Sequence, residues 1–142
     1  MFTKILVAID GSKMSEKAVQ TAVEEARVWN ARVHVLYVIE TGLFSSLPMD
    51  NTWEVMYSML EKEGKEALDR MKKLASDRGV EAEGLIRQGH AGTEILRAAD
   101  EIAADLIVVG SHGKSNIDRL LLGSVSSFVV SNAKISVTVV RP

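Results

Sequence analysis

The sequence predicts an α/β fold, an open parallel β-sheet with helices on both faces. Two observations predict it. Five short runs rich in Val, Ile and Leu alternate with four longer segments in which apolar residues recur every three or four positions. Most of these runs are also apolar throughout, the pattern of strands covered on both sides rather than on one. Right-handed crossovers are the default for such a chain.

The first strand is Ile5-Leu6-Val7-Ala8-Ile9, closed by the turn residues Asp10-Gly11-Ser12. Ala18, Val19, Ala22, Val23 and Ala26 then mark one helical face, with Lys17, Glu24 and Glu25 off it. Val33 to Ile39 is β-branched and reads as the second strand. The longest helical stretch runs from about Asn51 to Asp77. Its stripe is Trp53, Met56, Leu60, Gly64, Ala67, Leu68, Met71, Leu74 and Ala75. Asn51 with Glu54 resembles a capping box, and Gly79 stops the helix. The methionines at 56, 59 and 71 read as core or helix-face residues. Val80 to Arg87 is a third strand whose alternation suits a place nearer the sheet edge. Ile95, Ala98, Ala99, Ile102 and Ala103 mark a third helix, and Leu106 to Val109 a fourth strand ending at Gly110. Val125, Phe128 and Val129 fit a short fourth helix, and Ser136 to Arg141 is the last strand. Periodicity does not give the order of the strands in the sheet.

The chain has 142 residues, enough for one core, and no repeat or linker suggests a boundary, so residues 1–142 read as one domain. With 46% hydrophobic and 25% charged residues it reads as globular. A net charge of −2 argues against a broad grip on nucleic acid. It leaves room for a small anion site built from backbone dipoles. The absence of cysteine excludes disulfides, thiolate metal sites and a cysteine nucleophile. The first residues lack the pattern of a signal peptide, and no stretch reaches the roughly 20 apolar residues of a membrane span. The expectation is a cytoplasmic protein without membrane contact.

In open α/β sheets ligands bind beyond the carboxyl ends of the strands, at a switch in strand order. Two strand ends carry unusual residues, Asp10-Gly11-Ser12 and Gly110-Ser111-His112-Gly113. Gly110, Gly113 and Gly123-Ser124 form the spacing G-x2-G-x9-G-S. Glycines at 110 and 113 would let backbone N–H groups approach an anion and permit positive φ. The N–H groups around Val125 and Ser126, in the first turn of the last helix, would face a phosphate. The hydroxyls of Ser124 and Ser126 could donate as well. A plain loop with Ser124 as N-cap explains the same residues without a ligand.

Taken together, this spacing, the segment DLIVVGSHG at 105–113 and the AIDGS end of the first strand resemble the universal stress protein family across essentially the whole chain. The resemblance implies a Rossmann-like sheet of five parallel strands in the order 3-2-1-4-5, usually in a dimer. It implies an adenine nucleotide, ATP or a relative, with Mg or Mn, held between the first and fourth strands. By that analogy Asp10 meets the ribose or adenine, and Ala8 and Val38 line the base pocket. Val109, Gly110, His112 and Gly113 contact ribose and phosphates, while Gly123, Ser124, Val125 and Ser126 hold the phosphate chain. Two positions depart from the family pattern. Gly89-His90-Ala91 stands where relatives often have Gly-x-Pro, and Ile135-Ser136-Val137 lacks the proline often found before the last strand.

Several features admit a second reading. Asp10 could bond backbone amides in its own turn. A receiver domain is rejected, because Gln88-Gly89-His90 stands where its second aspartate is needed. His112 could serve as an acid or base, or only as a hydrogen-bonding loop residue. His34 reads as a strand residue under a helix and His90 as a loop residue, and the three histidines lack metal-ligand spacing. Gly113-Lys114-Ser115 imitates the end of a P-loop, but that motif needs four residues between its glycines and here there are two. Lys114 and Arg119 could sit near phosphates or in solvent. The apolar segment Leu43 to Met49 could cover the nucleotide, meet a partner or pack on the next helix. The last strand, Ser136 to Val140, carries no charge and invites antiparallel pairing with a second copy. No assured general base or arginine finger is evident, which favours binding over turnover. Three functions stay in play: an ATP-binding regulatory or stress-response module that modulates dimer or partner contacts, a slow ATPase or phosphotransferase, and a nucleotide-independent dimeric interaction module.

Overall fold

Successive residues of a strand point to opposite faces, and strand β1 (Lys4–Ile9) shows what that does in the centre of a sheet. Ile5, Val7 and Ile9 enter one core, while Leu6 enters another, and all four are buried. Burying one such side chain contributes about 1.5–3 kcal/mol. The computed structural model describes residues 1–44, 51–112 and 122–142. After β1 come α1 (Lys13–Trp29), β2 (Arg32–Glu40), a 3-10 turn (Thr41–Phe44), α2 (Asn51–Asp77) and β3 (Ala82–Gly89). Then follow α3 (Ala91–Glu101), β4 (Leu106–Gly110), α4 (Ser124–Asn132) and β5 (Ser136–Val140).

The five strands are all parallel, in the order β3-β2-β1-β4-β5. Helices α1 and α2 supply Ala18 to Ala26 and Ala67 to Ala75 to one core, against Val33, Val35, Tyr37, Leu106 and Val108. Helices α3 and α4 cover the other face, where Ile95, Ala98, Ala99 and Val129 meet Leu36, Ile107 and Val109. Gly64 lets α2 lie directly on Tyr37, since a Cβ there would come within 2.6 Å of the ring. The weakly alternating β3 does lie at the sheet edge.

Several boundaries shift, each for a local reason. Strand β3 starts at Ala82 rather than Val80, because Val80 belongs to the stop of α2. Gly79 takes φ 81°, its N–H donates to Ser76 O, and Val80 N–H donates to Ala75 O. Helix α3 ends the same way. Ile102 is its C-cap and Ala103 adopts φ 57°, with Ala104 N–H bonded to Ala99 O, so neither residue continues the helix. Helix α2 begins at Asn51 itself, so Asn51 is a helical residue and not the cap before it. Of the methionines at 56, 59 and 71, Met71 alone is buried. Trp53, Tyr57 and Leu60 take the inner face of the first turns, leaving Met56 and Met59 exposed. Phe44 is buried edge-on against Trp53, centroids 5.3 Å apart, which packs this part of the apolar segment on α2. Residues 45–50 of that segment lie outside the described residues.

Asp105 fastens the starts of β1 and β4. Its carboxylate accepts the N–H groups of Thr3 and Lys4 and the Thr3 hydroxyl, at 2.8–3.1 Å. Partial burial pushes its pKa up, but the hydrogen bonds from Lys4 and Thr3 together outweigh that and hold it below the ordinary aspartate value.

Candidate nucleotide site

Chain connections leave β1 and β4 toward opposite faces of the sheet, α1 to one and α4 to the other. The carboxyl ends of these neighbouring strands therefore part around a crevice. A cavity of about 260 Å³ opens there. Ten of the eleven residues singled out in the sequence line it: Ala8, Asp10, Val38, Val109, Gly110, His112, Gly123, Ser124, Val125 and Ser126. The eleventh, Gly113, lies outside the described residues, as do Lys114, Ser115 and Arg119. The remaining wall is Ile9, Ser12, Met14, Ser15, Ala91 and Ile95.

Three helices begin at this crevice, and their first turns are finished differently. At α1 the Asp10 carboxylate meets the entry: Oδ1 accepts the Ser12 N–H at 2.9 Å and the Ser15 hydroxyl at 2.9 Å. Ser15 Oγ in turn accepts the Asp10 N–H. At α3 a second carboxylate does so, with Glu40 Oε2 accepting the Ala91 N–H at 2.8 Å. His90 is a loop residue, as the sequence suggests, and serves as the N-cap there, its Nδ1 accepting the Thr93 N–H. Proline at position 91 would have no N–H to offer Glu40.

Helix α4 is left open. Its N-cap is Gly123, which has no side chain to fold back, and Ser124 is the first helical residue rather than the cap. The Gly123 N–H donates to Ser111 O, and the first intrahelical bond runs from Ser127 N–H to Gly123 O. Between them the N–H groups of Ser124, Val125 and Ser126 have no acceptor among the described residues. The helix dipole adds partial positive charge at the same place.

Two expected contributions change. The Ser126 hydroxyl is buried and donates to the carbonyls of Ser111 and Gly123, so Ser126 offers the cavity its N–H and not its O–H. Gly110 does not take positive φ. Its reason is space, because a Cβ would come within 3.3 Å of Met14 Cβ and 3.4 Å of His112 O. Positive φ is found instead at Gly11, in the turn after β1, at 84°, and at Gly89, before α3, at 132°. Asp10 does bond a backbone amide in its own turn. That engages only Oδ1, and Oδ2 has no partner among the described residues. His112 is buried with Nδ1 3.1 Å from Ser111 Oγ, which fixes its ring as part of the wall. His34 is buried in β2 and pairs through Nε2 with Glu83. Among the described residues no cluster of three or more His, Cys, Asp or Glu could hold a metal.

Comparison with known proteins bears on this geometry. The model of the universal stress protein family matches residues 1–141. The chain belongs to the universal stress protein family. A universal stress protein of Methanocaldococcus jannaschii is 38% identical over 141 residues, covering 99% of this chain and 83% of that one. The structure of a universal stress protein in complex with cAMP shares 30% identity with a TM-score of 0.70, over 99% of this chain and 97% of its own. That of an Archaeoglobus fulgidus universal stress protein in complex with dAMP shares 26% with a TM-score of 0.71, over 98% of each. In this universal stress protein, the sequence marked the turn Asp10-Gly11-Ser12 but gave no role to Ser12, Ser15 or Glu40. Ser12 and Ser15 carried a signal, lying two and five residues beyond Asp10. Glu40 carried none, because its partner is 51 residues away.

Proposed function

We propose that this chain is a cytoplasmic ATP-binding regulatory module, in which an adenine nucleotide held between β1 and β4 modulates contacts with a second copy or another protein. The observation that carries the reading is the open first turn of α4. Three N–H donors without an acceptor among the described residues border a cavity whose two other helix starts are already met by carboxylates, so the start of α4 is the favourable place for anionic phosphates. Apolar Ala8 and Val38 supply the wall on the side of β2, where a base would lie. The cAMP and dAMP complexes of relatives support an adenine nucleotide as the ligand class. Gly113 is assigned to the phosphates by the same motif.

Asp10 is the single carboxylate on the described wall. That suits Mg or Mn carried by the phosphates rather than caged by protein.

The fold should gain about 2.7 kcal/mol when ATP is at a hundredfold excess over Kd. A thermal scan with millimolar Mg-ATP therefore shows a raised Tm. No shift, with no nucleotide released on denaturation of the purified protein, sinks the proposal. Strand β5 bonds only to β4 among the described strands, and we assign its other edge to antiparallel pairing in a homodimer. Sedimentation should give twice the chain mass at tens of micromolar, and a monomer there removes the assignment.

A further inference from the structure

Helix α3 begins on a cap that only an uncharged histidine can supply. The N–H of Thr93, in the first turn, donates to His90 Nδ1 at 3.2 Å, and the Thr93 hydroxyl lies 3.1 Å from the same nitrogen. An imidazole nitrogen accepts only while it carries no proton, so this bond requires the neutral ring with its proton on Nε2. His90 is exposed, and a proton from solvent can reach it. Once protonated, Nδ1 can donate to Thr93 Oγ1, but the Thr93 N–H loses its acceptor. The added charge also stands at the positive end of the helix dipole. Both effects act against the cap in acid.

The same ring touches the neighbouring helix. It packs edge-on to Phe128 of α4, centroids 5.1 Å apart. Gly92 makes room for this contact, since a Cβ there would overlap the Phe128 ring and come within 3.1 Å of His90 Cε1. Phe128 lies one turn beyond Ser124, in the helix whose first N–H groups face the cavity. Ala91 and Ile95, on either side of Thr93, line that cavity. His90 therefore fastens one wall of the cavity and packs on another.

Few other charges face His90 from the described elements packed here. Helix α4 has none from Ser124 to Asn132. From β2 comes Glu40, whose Oε2 holds the Ala91 N–H, and α3 itself brings Glu94, paired with Arg97. The adjoining end of β3 is the uncharged Gln88-Gly89, and Arg87 before it pairs with Glu101. Carboxylic acids as a class titrate about two pH units below histidine.

We infer that His90 is a proton-sensitive cap: its protonation releases the first turn of α3 and, through Phe128, loosens the cavity, so that the chain holds its nucleotide less tightly in acid. The cap stands on its own geometry, and its effect on nucleotide rests on the reading above.

The test measures melting without ligand and ATP affinity by calorimetric titration, each at about pH 8 and about pH 5.5, on either side of the histidine range. It compares wild type, His90→Asn and His90→Ala. Asparagine caps through its side-chain oxygen at both pH values, and alanine does not cap. Both variants lose the ring contact with Phe128, a loss that does not change with pH. Between the two pH values wild type should lose roughly 2–5 °C more in Tm than His90→Asn, and roughly 2- to 5-fold more in ATP affinity. Protonation of ATP, His34 and His112 is common to the three proteins and cancels in the comparison. His90→Ala should melt below His90→Asn at both pH values. Equal pH dependence of Tm in wild type and His90→Asn overturns the cap switch and leaves the nucleotide reading standing. A difference in Tm with none in ATP affinity overturns the step from α3 to the cavity. If wild type binds no ATP at either pH, the nucleotide reading fails, and the melting comparison alone decides the cap.

Discussion

Replacing Gly123 with alanine perturbs the phosphate cradle at its tightest point. The backbone there, φ −67° and ψ 167°, suits alanine, so no dihedral is strained. The new Cβ would stand 3.2 Å from Ser111 O and 3.2 Å from His112 Cα, both main-chain atoms. Since neither is the end of a flexible side chain, the entry of α4 must back away by a few tenths of an ångström. That movement stretches the 2.6 Å bond from Gly123 N–H to Ser111 O and re-aims the N–H groups of Ser124, Val125 and Ser126. A hydrogen bond to a charged group contributes about 1.5–3 kcal/mol, so losing the equivalent of one weakens ATP binding about 10- to 100-fold. With ATP at a hundredfold excess over the wild-type Kd, stabilisation falls from about 2.7 kcal/mol to about 0.9 kcal/mol for a variant about 30-fold weaker. At about 2–4 °C per kcal/mol, the Tm shift drops from roughly 5–11 °C to roughly 2–3 °C. Loss of the glycine N-cap itself costs less than about 1 kcal/mol, so the variant still folds. A Gly123→Ala protein that melts lower without ligand but keeps the full ATP shift refutes the reasoning, because the phosphates would then be held elsewhere.

Two further predictions concern the scaffold. Ala103 pays the left-handed penalty of about 1 kcal/mol at φ 57°, so Ala103→Gly should raise Tm by roughly 2–4 °C in a melting scan; an unchanged or lower value means the strain is absent. Asp105 has a folded pKa below its unfolded value near 3.8, so its contribution is complete above that pH and fades as pH falls through the folded pKa. Asp105→Asn should therefore cost about 1–2 kcal/mol at pH 7, and its deficit against wild type should narrow below about pH 4 in parallel acid melts. A deficit that stays constant with pH would show that the carboxylate charge contributes nothing.

Much of the fold is legible in the sequence because it is local. Ile5, Leu6 and Val7 declare a strand with two buried faces, and Ala18 to Ala26 declare a helix with one. The parts that escape depend on distant neighbours. Met56 fits the stripe of α2 by spacing, but Trp53 and Tyr57 take the inner face beside Phe44 and turn it outward. The candidate site divides in the same way. The glycine spacing and the Asp10 turn mark the two strand ends, but in the sequence only the family resemblance makes β1 and β4 neighbours. No pattern near Ser126 reveals that its hydroxyl is spent on Ser111, 15 residues earlier. Likewise, nothing around Ala91 announces Glu40.

Ser111 is fully buried, and its backbone faces two ways. Its N–H holds the carbonyl of Val140, the last residue of β5, while its own carbonyl holds Gly123 and Ser126 at the entry of α4. The proposed phosphate cradle and the strand of the proposed dimer edge are thus joined through one residue. If a bound phosphate draws the first turn of α4 toward itself, the end of β5 is on the same lever. Linkage then works in both directions: whatever factor nucleotide applies to the pairing of two chains, pairing applies to nucleotide affinity. Measuring ATP affinity at protein concentrations below and above the association midpoint would put a number on that factor, and equal affinities would mean the lever carries no load.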